Sequence, residues 1–455
     1  MLKRTLYLLL ITAWGSLMFL NACEKVEETM PENIRLEFSC DTMAFDTVFT
    51  QMGTTTRKFL VYNNNRFEVR IDHVTLENGY SSRFRLNVDG DTHMVARDMR
   101  IAPGDSMFVF VRANIRPNSA TEPFLIEDAV LFNIGGRRQR LPLTAYGRNA
   151  VYHVPTDTLH RPDGTYLLDV FGKPYAYSVI DCEQWRHDLP HVILGYAVVD
   201  SRNTLRLRAG DELYFCEDAV LWVYDSATLD VRGTADRPVL FTSVRQDGWY
   251  RGLPGQWGYI WMMQGSRDNH IDYALIENGF MGIEVDSCAN GRPTLTISNT
   301  QIRNHTHVGL MLQTAHVEGN NLLVTNCGNA TAVMQYGGEY HFTNCTFANY
   351  WTLTARTLPS VFISNSRTYG GQRYIWPMHA ALSDCIIYGS RADGELYLDI
   401  DSSAPASVQF DHCLVRGGTW DEDPLFADPA QGDYHLAEDS PAWGIGYQYP
   451  DTPWK

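Results

Sequence analysis

The feature that most constrains this chain is a frame that returns along its carboxy-terminal half: HFTNCTFANY at His341, LSDCIIYGS at Leu382 and FDHCLVRGG at Phe410. In each copy a polar residue precedes Cys, two mostly apolar residues follow, and a small or polar turn former closes the frame. Aligning the polar residue puts Tyr273, Asn299, Asn321, Asn344, Asn365, Asp384 and His412 in one column, at successive spacings of 26, 22, 23, 21, 19 and 28. Five positions later stand Asn278, Asn304, Asn326, Asn349, Gly370, Gly389 and Gly417. A period near 22 marks a solenoid, in which each repeat buries its apolar face by stacking on the next. Strand-like segments between Asn or Gly turns make that solenoid a parallel β-helix.

Stacking predicts what each column does. Asn suits a corner because it tolerates left-handed backbone, and Gly serves where a side chain would crowd. The third position of the frame gives Ile276, Ile302, Val324, Phe347, Ile387 and Val415, an inward apolar ladder broken by Thr368. The first gives Cys345, Cys385 and Cys413, with Ser366 between the first two; these read as small packed hydrophobes at a tight corner. A disulfide between Cys385 and Cys413 is within reach if their columns lie one coil apart. No CxxC or HxxxH spacing supports zinc, so no metal is assigned.

The amino terminus sets the compartment. Lys3 and Arg4 precede the apolar run LYLLLITAWGSLMFL, which reads as a secretory leader. Its end, Leu20-Asn21-Ala22-Cys23, resembles the lipobox of bacterial lipoproteins, and that resemblance implies a lipid anchor on Cys23. The acidic EKVEE that follows resembles the surface-export tag of Bacteroidetes lipoproteins, and makes a tether equally well. Net charge is −16, and loss of Lys3 and Arg4 takes it to −18, a field that repels nucleic acid. The expected partners are therefore the outer membrane, through the anchor, and a glycan or envelope protein.

Between residues 34 and 150, short alternating segments such as RKFLVYN, EVRIDHVTL and SMFVFVRANI are separated by turn formers, which predicts a β-sandwich. The run from Gly53 to Gly90 also resembles immunoglobulin-like domains that precede repeat modules in bacterial surface proteins. The expected order is a leader over 1–22, a tether over 23–33, the sandwich over 34–150, a linker and amino-terminal cap over 151–202, the β-helix over 203–420 and a capping segment over 421–455. The fold class is all-β throughout.

The stretches AGDELYFCEDAVLWVYDSATLDVRGTADRPVLFTS (Ala209–Ser243) and PGQWGYIWMMQGSRDNHIDYALIENGFMGIEV (Pro254–Val285) resemble the first coils of right-handed parallel β-helix proteins with the pectin-lyase-like fold. DPLFADPAQGDYHLAEDSPAWGIG (Asp423–Gly446) resembles their closing segment. That family holds polysaccharide lyases, glycoside hydrolases, tailspikes and non-catalytic surface proteins, so activity has to be argued from a site. The hydrolase motifs of the group are missing. Lyases of the group use calcium held by acids, with Lys or Arg as base; the repeat domain contains no Lys.

Three candidate groups remain. Asp268, His270 and Asp272 make an acid–base or metal-ligand set, or a solvated turn of the kind that favours Asp and Asn. His305 and His307 alternate and would face one way in a strand, with His316 a coil further on. Trp351, Tyr374 and Trp376 lie in a segment rich in turns and offer rings for stacking on sugars, or cover an apolar coil face. The reading is a non-enzymatic envelope lipoprotein that binds a glycan or protein partner along the β-helix, with a diverged polysaccharide lyase or glycoside hydrolase as the alternative.

Overall fold

The computed structural model describes residues 34–286 and 291–450. The chain divides into two compact units: one runs to Pro117 and adds Phe124–Gly147, and the other takes Asn118–Pro123 and continues from Arg148. Cys23 and its tether lie outside the described residues.

The first unit is a two-sheet sandwich. A four-stranded sheet (Glu37–Phe38, Arg57–Tyr62, Ser106–Ala113, Phe84–Val88) faces a five-stranded one (Met43–Phe49, Arg137–Arg148, Phe124–Ile134, Val69–Leu76, Val95–Ile101). The alternation of RKFLVY and of the start of VRIDHVTL sends Phe59, Val61, Val69 and Ile71 into one shared core with Val109, Phe132 and Leu143. The side chains between them stay at the surface, as period-two patterning requires.

The second unit is a parallel β-helix whose coils present three faces. The first carries Thr204–Arg208, Thr228–Arg232, Asn269–Asp272, Gly338–Thr343, Met378–Ser383 and Ala406–Asp411. The second carries Glu212–Phe215, Val239–Ser243, Ala274–Glu277, Thr346–Asn349, Ile386–Gly389 and Leu414–Val415. Leu295–His305 and His316–Cys327 run through the corner and serve both faces. The third face is a ten-stranded sheet, parallel along all but its first pairing, from Asp157–Thr158 and Ala176–Val179 through Val220–Val223, Ile283–Val285 and Ala330–Gln335 to Leu396–Asp399.

The corner between the first two faces is left-handed. Tyr273, Asn299, Asn321, Asn344, Asp384 and His412 have φ between 47° and 54°. Their side chains form a ladder: Asn321 Nδ2 donates to Asn299 Oδ1 at 2.9 Å, Asn299 Nδ2 to Asp272 Oδ1 at 2.8 Å, and His412 Nδ1 lies 2.6 Å from Asp384 Oδ1. Just past it, the inward ladder of Ile276, Ile302, Val324, Phe347, Ile387 and Val415 pairs rung on rung and is buried throughout.

Asn365 departs from the expected column. Thr346 pairs directly with Ile386, so Asn344 stacks on Asp384, and the chain between them makes one long coil. Asn365 instead follows a third-face strand, Val361–Ser364, and Thr368 sits exposed on a hairpin. Two inserted turns of similar length had imitated the period. The long coil is held by a fully buried ion pair: Arg356 Nη2 lies 2.6 Å from Glu395 Oε1, and Ser360 donates both its N–H and its hydroxyl to Glu395 Oε2 at 2.8 Å. An acid that is 0 % exposed needs every oxygen partnered in this way.

Cys345, Cys385 and Cys413 therefore stack as three consecutive rungs, but the expected disulfide is not formed: Cys385 and Cys413 are free thiols. Cys385 Sγ lies 3.2 Å from Ser383 O of its own coil and 3.6 Å from Phe342 O of the neighbouring one, and Cys413 Sγ lies 3.3 Å from both Asp411 O and Leu382 O.

Residues 151–202 belong to the β-helix, because Val151–His153 pairs in parallel with His191–Ile193 and Tyr177 with Tyr196. The carboxy-terminal segment also differs from expectation. It does not simply close the last coil; it lies along the outer side of the second face and covers Leu323, Ala348, Ile386 and Leu414, with Ala442, Ile445 and Tyr447 packed there. Gln448 N donates to Asn321 Oδ1 at 2.6 Å, and Tyr447 N to Thr346 Oγ1 at 2.9 Å. Apolar side chains that point outward from a coil have to be covered by something.

Asn321 tests the corner. Asn321→Ala loses its hydrogen bonds and places an ordinary side chain at positive φ, which together cost roughly 2 kcal/mol. Asn321→Gly, which tolerates the backbone, should lose about half of that in urea titrations.

Candidate functional site

Outward side chains on the third face repeat with the register of its strands. Trp222, Trp261, Glu284 and Met311 occupy successive rungs of one column. The neighbouring column brings Asp286 beside Gln313 and Gln313 beside Gln335. Both columns follow from Ile283-Glu284-Val285-Asp286, where alternation buries the valine and isoleucine and turns both acids outward.

The two indoles stack at 4.9 Å with planes 11° apart. Trp261 Nε1 donates to Asp286 Oδ2 at 2.8 Å. Gln313 Nε2 donates to Glu284 Oε1 at 2.7 Å and reaches Asp286 Oδ1 at 3.4 Å, so those two oxygens lie within about 6 Å of each other. Gln335 Nε2 continues the chain to Gln313 Oε1 at 3.3 Å.

Burial dominates the electrostatics here. Desolvation and the neighbouring Asp286 push the Glu284 carboxyl up to about 7, against hydrogen bonds from Gln313 and Tyr259 that act the other way. Desolvation also raises Asp286, offset in part by the Trp261 indole. Phe171 and Tyr175 lie against the same outer face: Tyr175 packs 6.1 Å from Trp222 and is influenced by the Glu284 charge, and Phe171 meets Phe280 edge-on at 5.5 Å. An acid half-protonated near neutral pH, beside a second acid and a flat indole, can donate a proton or bond sugar hydroxyls in either state.

Gln335 leads directly into Tyr336, where a second aromatic group begins. Trp376 lies 5.8 Å from Tyr336 and 6.2 Å from Tyr374, and the Arg367 guanidinium stands 5.1 Å over Tyr336. Tyr374, 41 % exposed, comes from the hairpin Ser366–Tyr369 and Gln372–Ile375, whose turn residues Gly370 and Gly371 have φ of 58° and 80°. A two-residue turn with both φ positive matches the twist of a hairpin and favours Gly.

Two of the three expected aromatic residues are thus brought together. Trp351 is not with them: it is 7 % exposed, its Nε1 donates to Thr354 Oγ1 at 2.8 Å, and it packs beside Gly328. It covers the coil below the long insertion instead of offering a ring to solvent.

The acid–base set also comes apart. Asp268 is exposed in a left-handed turn at φ 52°, and among the described residues no hydrogen bond joins it to His270. His270 and Asp272 share the outer side of Asn269–Asp272, but Asp272 is committed to Ser298 and Asn299 at 2.7 and 2.8 Å. Burial and the nearby Arg232 lower the His270 pKa. His305 and His307 do not face one way. His305 is wholly buried, accepting from Gly279 N at 3.2 Å and donating to Ile276 O at 3.2 Å, and desolvation takes it down to about 4. His307 stacks on Phe280 at 5.2 Å. His316 lies on another face, with Glu339 and His341.

No family model matches the chain, and no curated protein matches it. Among solved structures it is similar to the catalytic domain of a GH87 alpha-1,3-glucanase in complex with tetrasaccharides, at 10 % identity and a TM-score of 0.20 over 78 % of this chain and 80 % of that one. A PapD-like domain of human CEP192 matches 28 % of this chain and 98 % of its own, at 13 % identity and a TM-score of 0.17. A family 123 glycoside hydrolase from Clostridium perfringens matches 26 % of this chain at 13 % identity and a TM-score of 0.20, and the chain spans only 25 % of its length. At such TM-scores none of these likenesses constrains the chemistry of this chain.

Glu284 makes stability depend on pH in a definite direction. The folded state holds a proton that the unfolded chain releases in the ordinary carboxylate range, so stability is highest below that range and falls as pH rises toward about 7. Glu284→Gln should match the parent melting temperature at pH 4 and exceed it at pH 8.

Proposed function

We propose that this chain is a cell-envelope lipoprotein that recognises an elongated glycan along the third face of its β-helix. The observation that carries the reading is the continuous track from Trp261, backed by the buried Trp222, through Glu284, Asp286, Gln313 and Gln335, to Tyr336, Trp376 and Tyr374. Its rungs from Trp261 to the coil of Gln335 span about 14 Å at the spacing of paired strands. Rings at both ends with carboxyl and amide groups between them suit a sugar chain, which offers apolar ring faces and a fringe of hydroxyls. The amino-terminal sandwich, read as immunoglobulin-like, serves as a spacer from the membrane, and Cys23 carries the lipid.

A second reading is favoured by Glu284 alone. A carboxyl near pKa 7 within about 6 Å of a second acid has the makings of a general acid, as the paired carboxyls of glycosidases require.

A glycan array on the full chain in detergent, scored for binding and for new reducing or unsaturated ends with and without calcium, separates the two. Binding without products is the expected result, and Trp261→Ala should weaken it about tenfold, or roughly 1.4 kcal/mol. New reducing ends abolished by Glu284→Gln would establish the hydrolase, and no binding to any glycan would overturn both readings. For the anchor, Cys23→Ser should move the chain from the membrane fraction to the soluble one; unchanged membrane association would refute the lipid on Cys23.

A further inference from the structure

On the outer side of the first face, three consecutive coils carry a checkerboard of imidazole and carboxylate. His316 pairs in register with Glu339 and Glu339 with His379, while Glu318 pairs with His341 in the column beside them. His316 and Glu318 are two residues apart on one strand, as are Glu339 and His341 on the next, so His316 and His341 each have an acid both beside them and in an adjacent coil, while His379 has Glu339 in the adjacent coil.

The groups converge. Ligand atoms of His316, Glu339 and His341 all lie within 4.8 Å of one another. His341 Nε2 is 3.2 Å from Glu339 Oε1, and His316 Nδ1 is 3.7 Å from Glu339 Oε2. The donors around a tetrahedral zinc ion stand roughly 3.3 Å apart, so these two separations already fit and the third closes by side-chain rotation. His316 Nδ1 is buried and makes no hydrogen bond. A buried ring nitrogen turned toward a carboxylate with nothing bonded to it is short of one cationic partner.

We propose that His316, Glu339 and His341 bind a first-row divalent metal ion, with His379 at its edge. The donor set, two imidazoles and one carboxylate, is the kind that zinc and its neighbours prefer over calcium or magnesium. His379 comes within 5.2 Å of the His341 ring, centroid to centroid, close enough to complete the set or to orient it. A cavity of about 560 Å³ opens beside the cluster, lined by His316, Glu339 and His379 with Thr314, Pro377 and Ser407. It leaves a coordination position open to water or to an oxygen ligand. The chain's net charge of −16 favours the approach of a cation.

Zinc is the probe that tests this, titrated into the untagged full chain in competition with a chromophoric chelator. One equivalent should bind, and His341→Ala and Glu339→Gln should each weaken it by more than the roughly 10–100-fold typical of losing an outer-shell partner. His341 is a surface side chain, so its replacement leaves the core alone even if His316→Ala harms folding. His435→Ala, at an exposed histidine elsewhere, should change nothing. Cobalt in place of zinc should give visible absorption bands that vanish in His341→Ala. Failure to saturate at one equivalent, or binding that survives both His341→Ala and Glu339→Gln unchanged, would overturn the site.

Discussion

The parallel stacking of coils at the left-handed corner is the constraint on which the rest depends. Each corner residue adopts a backbone that most side chains resist, and Asn299, Asn321 and His412 offset this with side-chain bonds to the coil before them. Once the corner is in register, every other column is in register too. Apolar side chains such as Ile302, Val324 and Phe347 then meet their own kind, and outward polar ones line up along the axis.

That alignment assembles the two candidate sites as a by-product of stability. A single coil would present one tryptophan or one acid, with no preferred neighbour. Stacking converts these into the Trp222–Trp261 pair, the bridged Glu284 and Asp286, and the convergence of His316, Glu339 and His341. The two candidate sites occupy different faces, so the inner ladders hold both while neither shares a side chain with the other. Excursions from the regular coil then adjust the environment: Phe171 and Tyr175 pack on the same face as Glu284, and the 366–375 hairpin adds Tyr374 beside Trp376.

The long coil between Asn344 and Asp384 explains why periodicity alone misplaced one rung. Two insertions, one tied down by Arg356 and Glu395 and one folded into a hairpin, have a combined length close to a further repeat. A side chain at Asn365 satisfies the pattern, but hydrogen bonding between Thr346 and Ile386 decides the register. The same stacking makes Cys385 and Cys413 neighbours as thiols within reach of carbonyls of their own and the adjacent coils.

The all-β class, the sandwich, the parallel β-helix and the inward ladder were legible in the sequence, because period-two alternation and a recurring corner are local signals. The sites were less so. His316, Glu339 and His379 stand five positions before corner residues Asn321, Asn344 and Asp384, a regularity present in the chain but meaningful only once outward and inward positions are known. Ile283-Glu284-Val285-Asp286 likewise gives two acids on one strand face, but their shared glutamine comes from another coil, and the Phe171 and Tyr175 rings on that face come from a segment far away in the chain. Trp351 went the other way, since nothing local reveals that an insertion folds its ring inward. The sequence by itself determined which residues turn in and which turn out. Only the tertiary structure decided which outward residues meet, because that depends on the register between strands and on where the excursions lie.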